Sequence, residues 1–277
     1  MRRGSSFPVD GTERLPTSTT LSVIVPAYNE QDLIATSLAR LKVLGESPLL
    51  RLIKVIVVDD ASKDGTAEAI VRFRIRLESE KGDPKFQWVW LRHEKNQGKG
   101  AGIRTALAHV DTELVVIHDA DLECQPRDLL PMVELFLAEA ADAVFGSRFM
   151  PGAYKRALFS AHALGNKLLT FLCNLACHSN FTDMETCYKM VRADLLKSIP
   201  LESSTFDVEP ELAIKLAKRS SRIFEVPISY SGRTYREGKK INWKDGLRAL
   251  WAIFHYTLSS RIYTADVRDG EILERLG

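Results

Sequence analysis

Three carboxylates at alternate positions, Asp119, Asp121 and Glu123, follow a short apolar run, Leu114-Val-Val-Ile117, in this 277-residue chain. The run reads as a buried strand. If extended backbone continues past its end, alternate residues share a face and the carboxylates converge. Clustered carboxylates repel each other unless a cation sits among them. Hard oxygen ligands of this kind suit Mg²⁺ or Mn²⁺, ions that also bind substrate phosphates. The expected metal ligands are therefore Asp119, Asp121 and Glu123. A polar turn after a strand has the same composition, so the rest of the chain must decide.

Other strand ends carry similar chemistry. Asp59 and Asp60 close a second apolar run, where a carboxylate can accept hydrogen bonds from a base or ribose. Asp64, in Asp64-Gly-Thr66, reads instead as a helix start. Asn96-Gln-Gly-Lys-Gly100 opens a helix; glycine permits close backbone approach, a helix N-terminus attracts anions, and Lys99 can reach a phosphate. The GxxxxGK[ST] spacing of a P-loop is absent. Two basic clusters lie far apart in sequence: Arg148, Lys155 and Arg156, then Arg233, Arg236, Lys239 and Lys240. Guanidinium groups supply planar bidentate donors for a phosphate. Arg156 and Ser160, four apart at a helix start, can share a face.

The elements that must position these residues alternate. Strands are expected over Leu21–Pro26, Leu52–Val58, Gln87–Leu91, Leu114–Ile117 and Ala143–Gly146. Helices are expected over Glu30–Leu44, Asp64 to about Leu77, Lys99–Val110 and Pro126 to about Ala140. This repetition implies an α/β fold with a mostly parallel sheet, and ligands of such sheets bind at the carboxyl ends of the strands. Met1–Thr20 is polar, lacks an apolar leader and reads as a disordered arm. A net charge of +2 gives no global argument for nucleic acid. Cys124, Cys173, Cys177 and Cys187 form no CxxC pair and read as reduced thiols. Ala157–Cys177 is the most apolar long stretch; it suits either a membrane interface or the core. Trp243, Leu247, Leu250, Trp251 and Phe254 make a second stripe, read as core packing or partner docking.

Taken together, Val25-Pro-Ala-Tyr-Asn-Glu30, Val58-Asp-Asp-Ala-Ser-Lys-Asp-Gly-Thr66, Asn96-Gln-Gly-Lys-Gly100 and Asp119-Ala-Asp-Leu-Glu123 resemble family 2 glycosyltransferases of the GT-A fold. The resemblance covers Leu21 to Tyr230. It implies a Rossmann-like sheet flanked by helices over 21–230, with a basic acceptor loop and helical extension over 231–277. It also implies nucleotide contacts from Pro26, Tyr28, Glu30, Asp59, Asp60, Asn96, Lys99, Asp119 and Ala120. Gly146-Ser-Arg-Phe149, Thr182-Asp-Met-Glu-Thr-Cys-Tyr-Lys189 and Val226-Pro-Ile-Ser-Tyr-Ser-Gly-Arg-Thr-Tyr-Arg-Glu-Gly-Lys-Lys-Ile241 are most similar to dolichyl- and polyprenyl-phosphate hexose synthases. Three residues depart from that pattern: Cys187 where Gly is usual, Lys239 where Ser is usual, and Glu123 where Gln is frequent.

The activity implied is inverting transfer of a hexose from GDP-mannose or UDP-glucose to a polyprenyl or dolichyl phosphate, with Mg²⁺ or Mn²⁺. Asp121, Asp183 and Arg148 are the expected catalytic residues. Arg148, Arg156, Ser160, Arg233, Arg236 and Lys239 are expected on the acceptor phosphate. Asp183 is a base if the acceptor is a hydroxyl, and otherwise holds the sugar or orients arginines. The partners implied are the nucleotide sugar, the lipid phosphate, a membrane surface at its cytoplasmic face and a small membrane-anchoring subunit. The rival readings are a soluble transferase acting on a small hydroxyl acceptor, a sugar nucleotidyltransferase, and a non-catalytic nucleotide-sugar binding protein.

Overall fold

Strand β1 spans Thr19–Ala27, two residues earlier than the apolar run suggests. The Glu113 carboxylate accepts from the Thr19 hydroxyl (2.7 Å) and the Thr20 N–H (2.9 Å), which draws these polar residues into the sheet. The computed structural model describes residues 17–80, 82–157, 160–219, 221–234, 237–238 and 243–259, with side chains omitted at 160–162 and 243–244. Most of the expected arm, the Ser160 side chain, Arg236, Lys239 and Lys240 therefore lie outside the described residues.

Val- and Ile-rich central strands, buried on both faces, anchor a mostly parallel sheet. β2 (Leu50–Asp59), β3 (Phe86–Arg92) and β4 (Leu114–Ile117) join β1 in parallel. β5 (Ala143–Ser147) and β7 (Ile223–Pro227) pair in parallel. Between β4 and β5 lies β6 (Lys189–Arg192), antiparallel to both, giving the order β3-β2-β1-β4-β6-β5-β7.

Alternate residues of each strand feed two cores. Leu21, Val23 and Val25 face α1 (Ile34–Arg40), α2 (Thr66–Ser79) and α4 (Leu129–Ala138). Ile24, Ile56 and Ile117 face α3 (Lys99–Leu107), α5 (Ser160–Cys177), α6 (Ala193–Lys197), α7 (Val208–Lys218) and α8 (Trp243–Leu258). The single helix expected over Glu30–Leu44 is instead α1 followed by a 3-10 segment, Leu41–Glu46.

α8 packs against α5 and α7 and buries Ala249, Ala252, Ile253 and Tyr256. Of the two readings of its large apolar stripe, core packing or partner docking, the first is overturned. Leu247, Leu250, Trp251, Phe254 and Leu258 are exposed, because the small residues of the opposite face make the close helix contacts. On α5, Leu164, Leu168, Phe171 and Leu175 are exposed in the same way. Nine of the twelve exposed large apolar side chains among the described residues thus sit on these two packed helices. None of the described helices is long and apolar enough to cross a membrane.

Candidate active site

Past β4 the chain turns. Leu122 adopts φ 64° and the Glu123 N–H donates to Asp121 Oδ1 (3.1 Å). Extended geometry does not continue: Asp119 turns to Lys99, while Asp121 and Glu123 both reach Arg233. Asp119 meets the Lys99 ammonium at 2.8 Å. Glu123 accepts from the Tyr230 hydroxyl (2.7 Å) and the Arg233 N–H (2.9 Å). Among the described residues, no three acidic, His or Cys side chains form a ready metal group.

The cation among these carboxylates is a guanidinium. Arg233 lies 3.1 Å from Glu30, 3.4 Å from Asp121 and 3.4 Å from Glu123. One guanidinium does not balance the loop. Burial, with Asp119 and Glu123 nearby, raises the Asp121 carboxyl to about 7. The donor set and its shortage of positive charge therefore fit a hard divalent cation, with Asp121 and Asp119 the carboxylates nearest to hand. Behind the loop, buried His118 contacts Ser37 Oγ (3.0 Å) and the Tyr188 hydroxyl (2.9 Å), and burial lowers it to about 4.

Asp59 and Asp60 are buried and engaged by their own loops. Asp59 accepts from the Ser62 N–H (3.0 Å) and meets Arg92 at 3.2 Å. Asp60 accepts from the Gln97 N–H (2.8 Å), the Gly98 N–H (2.7 Å) and the Asn96 amide (2.9 Å), and contacts His93 Nδ1 at 2.6 Å. The Asn96–Gly100 turn is thus folded around Asp60. The start of α3 is covered: the Gly100 N–H donates to the Ser204 carbonyl (2.9 Å), and a Cβ on Gly100 would meet Ser203 O at 2.2 Å. Asp64 does act at a helix start, accepting from the Thr66 N–H at 3.0 Å. Pro26 and Tyr28 stand half-buried at the end of β1, beside buried Glu30, and Ala120 is buried in the acidic loop.

The two basic clusters meet at Tyr230. Arg148 lies over its ring at 5.2 Å, the Arg156 N–H donates to its carbonyl (2.8 Å), and Arg156 Nη1 reaches Gly232 O (3.2 Å) and Glu237 (2.9 Å). Asp183 is fully buried and grips Arg148 with both oxygens, at 2.6 and 2.7 Å. It orients the guanidinium and leaves no lone oxygen aimed at solvent. Lys155, before α5, and Lys167, two turns into it, lie 5.4 and 5.8 Å from the Phe149 ring, which Arg148 also approaches. Tyr230 and Glu209 were missed by sequence reasoning. Tyr230 was legible only as a residue of the second basic segment, and Glu209 belongs to α7, which was not read at all. The four cysteines are free; Cys124 and Cys187 touch at 3.4 Å, and Cys173 is buried in α5.

Solved structures place this architecture among GT-A glycosyltransferases. Glucosyl-3-phosphoglycerate synthase from Mycobacterium tuberculosis, solved with Mn²⁺, UDP and glucosyl-3-phosphoglycerate, matches with a TM-score of 0.62 at 20% identity, over 88% of this chain and 80% of that one. Residues 22–199 match the model for glycosyl transferase family 2, and the chain belongs to that family. An undecaprenyl-phosphate mannosyltransferase of Micrococcus luteus is 30% identical over 78% of this chain and 85% of its own. Glycosyltransferase AglJ of Haloferax volcanii is 26% identical over 79% of this chain, which spans 65% of AglJ.

Proposed function

We propose that this glycosyltransferase moves a hexose, with inversion, from a nucleotide sugar (GDP-mannose or UDP-glucose) to a polyprenyl or dolichyl phosphate at a membrane surface. The observation that carries this reading is the exposed apolar face of α5 and α8, with Lys167 of α5 sharing the Phe149 ring with Arg148 and Lys155. An interfacial helix pair beside a cationic cluster suits a lipid whose head is a phosphate. The relative from Micrococcus luteus, named for such a lipid acceptor, supports the same acceptor class.

The residues divide the work by position. Pro26, Tyr28, Glu30, Asp59, Asp60, Asn96, Lys99 and Ala120 form the nucleotide side. Asp119 and Asp121, with Glu123 beside them, would hold Mg²⁺ or Mn²⁺, which when bound neutralises the leaving diphosphate. Arg148, oriented by Asp183, receives the acceptor phosphate with Arg156, Ser160, Arg233, Arg236 and Lys239, and holds it for in-line attack at the anomeric carbon. A phosphate monoester has a second pKa of about 6, so it is already ionised near neutrality. Asp183 then needs no role as base, in keeping with its engagement by Arg148.

The test is incubation with labelled UDP-glucose or GDP-mannose, a polyprenyl phosphate and Mn²⁺, followed by organic extraction. Label is expected in the organic phase with one donor and is expected to vanish with EDTA. Label transferred only to a water-soluble hydroxyl acceptor would sink the reading.

A further inference from the structure

Buried charges run in a chain away from the acidic loop. Lys99, at the first position of α3, touches Asp119 at 2.8 Å on one side and Glu209 at 2.9 Å on the other. The second oxygen of Glu209 meets the Lys189 ammonium at 2.5 Å, and Lys189 also donates to the Thr186 carbonyl. The Lys189 side chain is fully buried, and those of Glu209 and Lys99 are 5% and 9% exposed. The row reads Asp119, Lys99, Glu209, Lys189: two negative charges and two positive, alternating. Four parts of the fold contribute one each, namely the acidic loop, α3, α7 and β6. The Phe206 ring lies 5.8 Å from the Lys99 ammonium.

A buried ammonium cannot leave one carboxylate unless another remains. Lys99 has that second carboxylate. We propose that Glu209 is a positioning residue for donor binding: it anchors the far side of Lys99, which can then turn from Asp119 toward a diphosphate without becoming an unpaired buried charge. Asp119 is thereby released at the moment the nucleotide arrives. This rests on the nucleotide-sugar reading above. With Glu209→Gln, Lys99 has only Asp119, and the two lock together.

The test is calorimetric titration of the full chain with UDP and with GDP, each with Mn²⁺. Glu209→Gln is expected to weaken the nucleotide that binds by about 10- to 100-fold, the range for groups that orient a ligand-binding residue, with Glu209→Asp recovering part of the loss. In a Lys99→Met background, Glu209→Gln is expected to cost nothing further, since the anchored group is gone. Lys189→Met/Glu209→Gln removes both members of the Lys189–Glu209 pair; it should recover part of the melting temperature but not the affinity. Full affinity in Glu209→Gln, an additive loss in the Lys99→Met background, or recovery of affinity in the Lys189→Met pair would overturn the inference while the donor reading stands. If the wild type binds neither nucleotide, the donor reading falls and the inference with it.

Discussion

Arg233 is the residue on which the acidic loop closes. Its guanidinium touches three carboxylates, from Glu30, Asp121 and Glu123, and so stands where an inorganic cation would compete. Replacing it with Gln removes that competitor while leaving the three acids in place. Mn²⁺ binding without nucleotide, followed by the electron paramagnetic signal of the free ion, is expected to tighten by about tenfold, the scale of one local charge at partly screened range. Unchanged Mn²⁺ binding would show that Arg233 and the ion do not share a site. Asp183 makes the opposite kind of pair. It is fully buried and holds Arg148 with both oxygens, so Asp183→Asn leaves a largely buried guanidinium short of its counter-charge. That is expected to cost about 3–5 kcal/mol in urea unfolding.

At the scale of elements, the two outward stripes and the glycine start of α3 make separate predictions. Phe171→Asp and Trp251→Asp alter exposed positions, so stability should stay within about 0.5 kcal/mol. Flotation with anionic vesicles should be lost, and retained flotation would take the membrane from these helices. Gly100→Ala forces a methyl against the Ser203 carbonyl, and overpacking of this kind costs about 1–3 kcal/mol. A thermal melt would register it as a lower midpoint. The strands from β1 to β5 were legible because short apolar runs, Val- and Ile-rich in β2 and β4, end in polar or turn residues, as at Val55–Asp60 and Leu114–Asp119. β6 and β7 were not, since one opens on Lys189 and the other carries Glu225, charges whose ionic and hydrogen-bond partners include the distant Glu209 and Thr182. The site was legible as a set of strand-end residues. Its pairings were not, because the left-handed turn at Leu122 breaks the alternation and Arg233 reaches Glu30 across 203 positions. The α8 stripe left core packing and partner docking open for a related reason: spacing shows that one helix face is apolar, not whether the protein covers it.

For the molecule as a whole, acid stability should report how the sheet is tied at its base. Glu113 binds Arg51, Thr19 and Thr20, and the Arg51 guanidinium first, then the Thr contacts, pull its carboxyl from the ordinary 4.5 to about 2. Between these values the unfolded chain holds the extra proton, so stability falls as pH drops. The contribution is complete above about 4.5 and is lost as pH falls through 2. Glu113→Gln should therefore flatten that part of an acid-unfolding curve; an unchanged curve would remove Glu113 from the account. The reversed strand β6 has a consequence of its own. Neighbouring strands lie about 4.8 Å apart, so inserting one between β4 and β5 sets the ends of those two strands roughly 10 Å apart. Because β6 runs the other way, its preceding segment enters beside those same ends and delivers Asp183 to Lys189 into the gap. The sheet thus acts as a ruler, with one strand's width as the spacing between the two strand ends from which the acidic loop and the Arg148 loop depart.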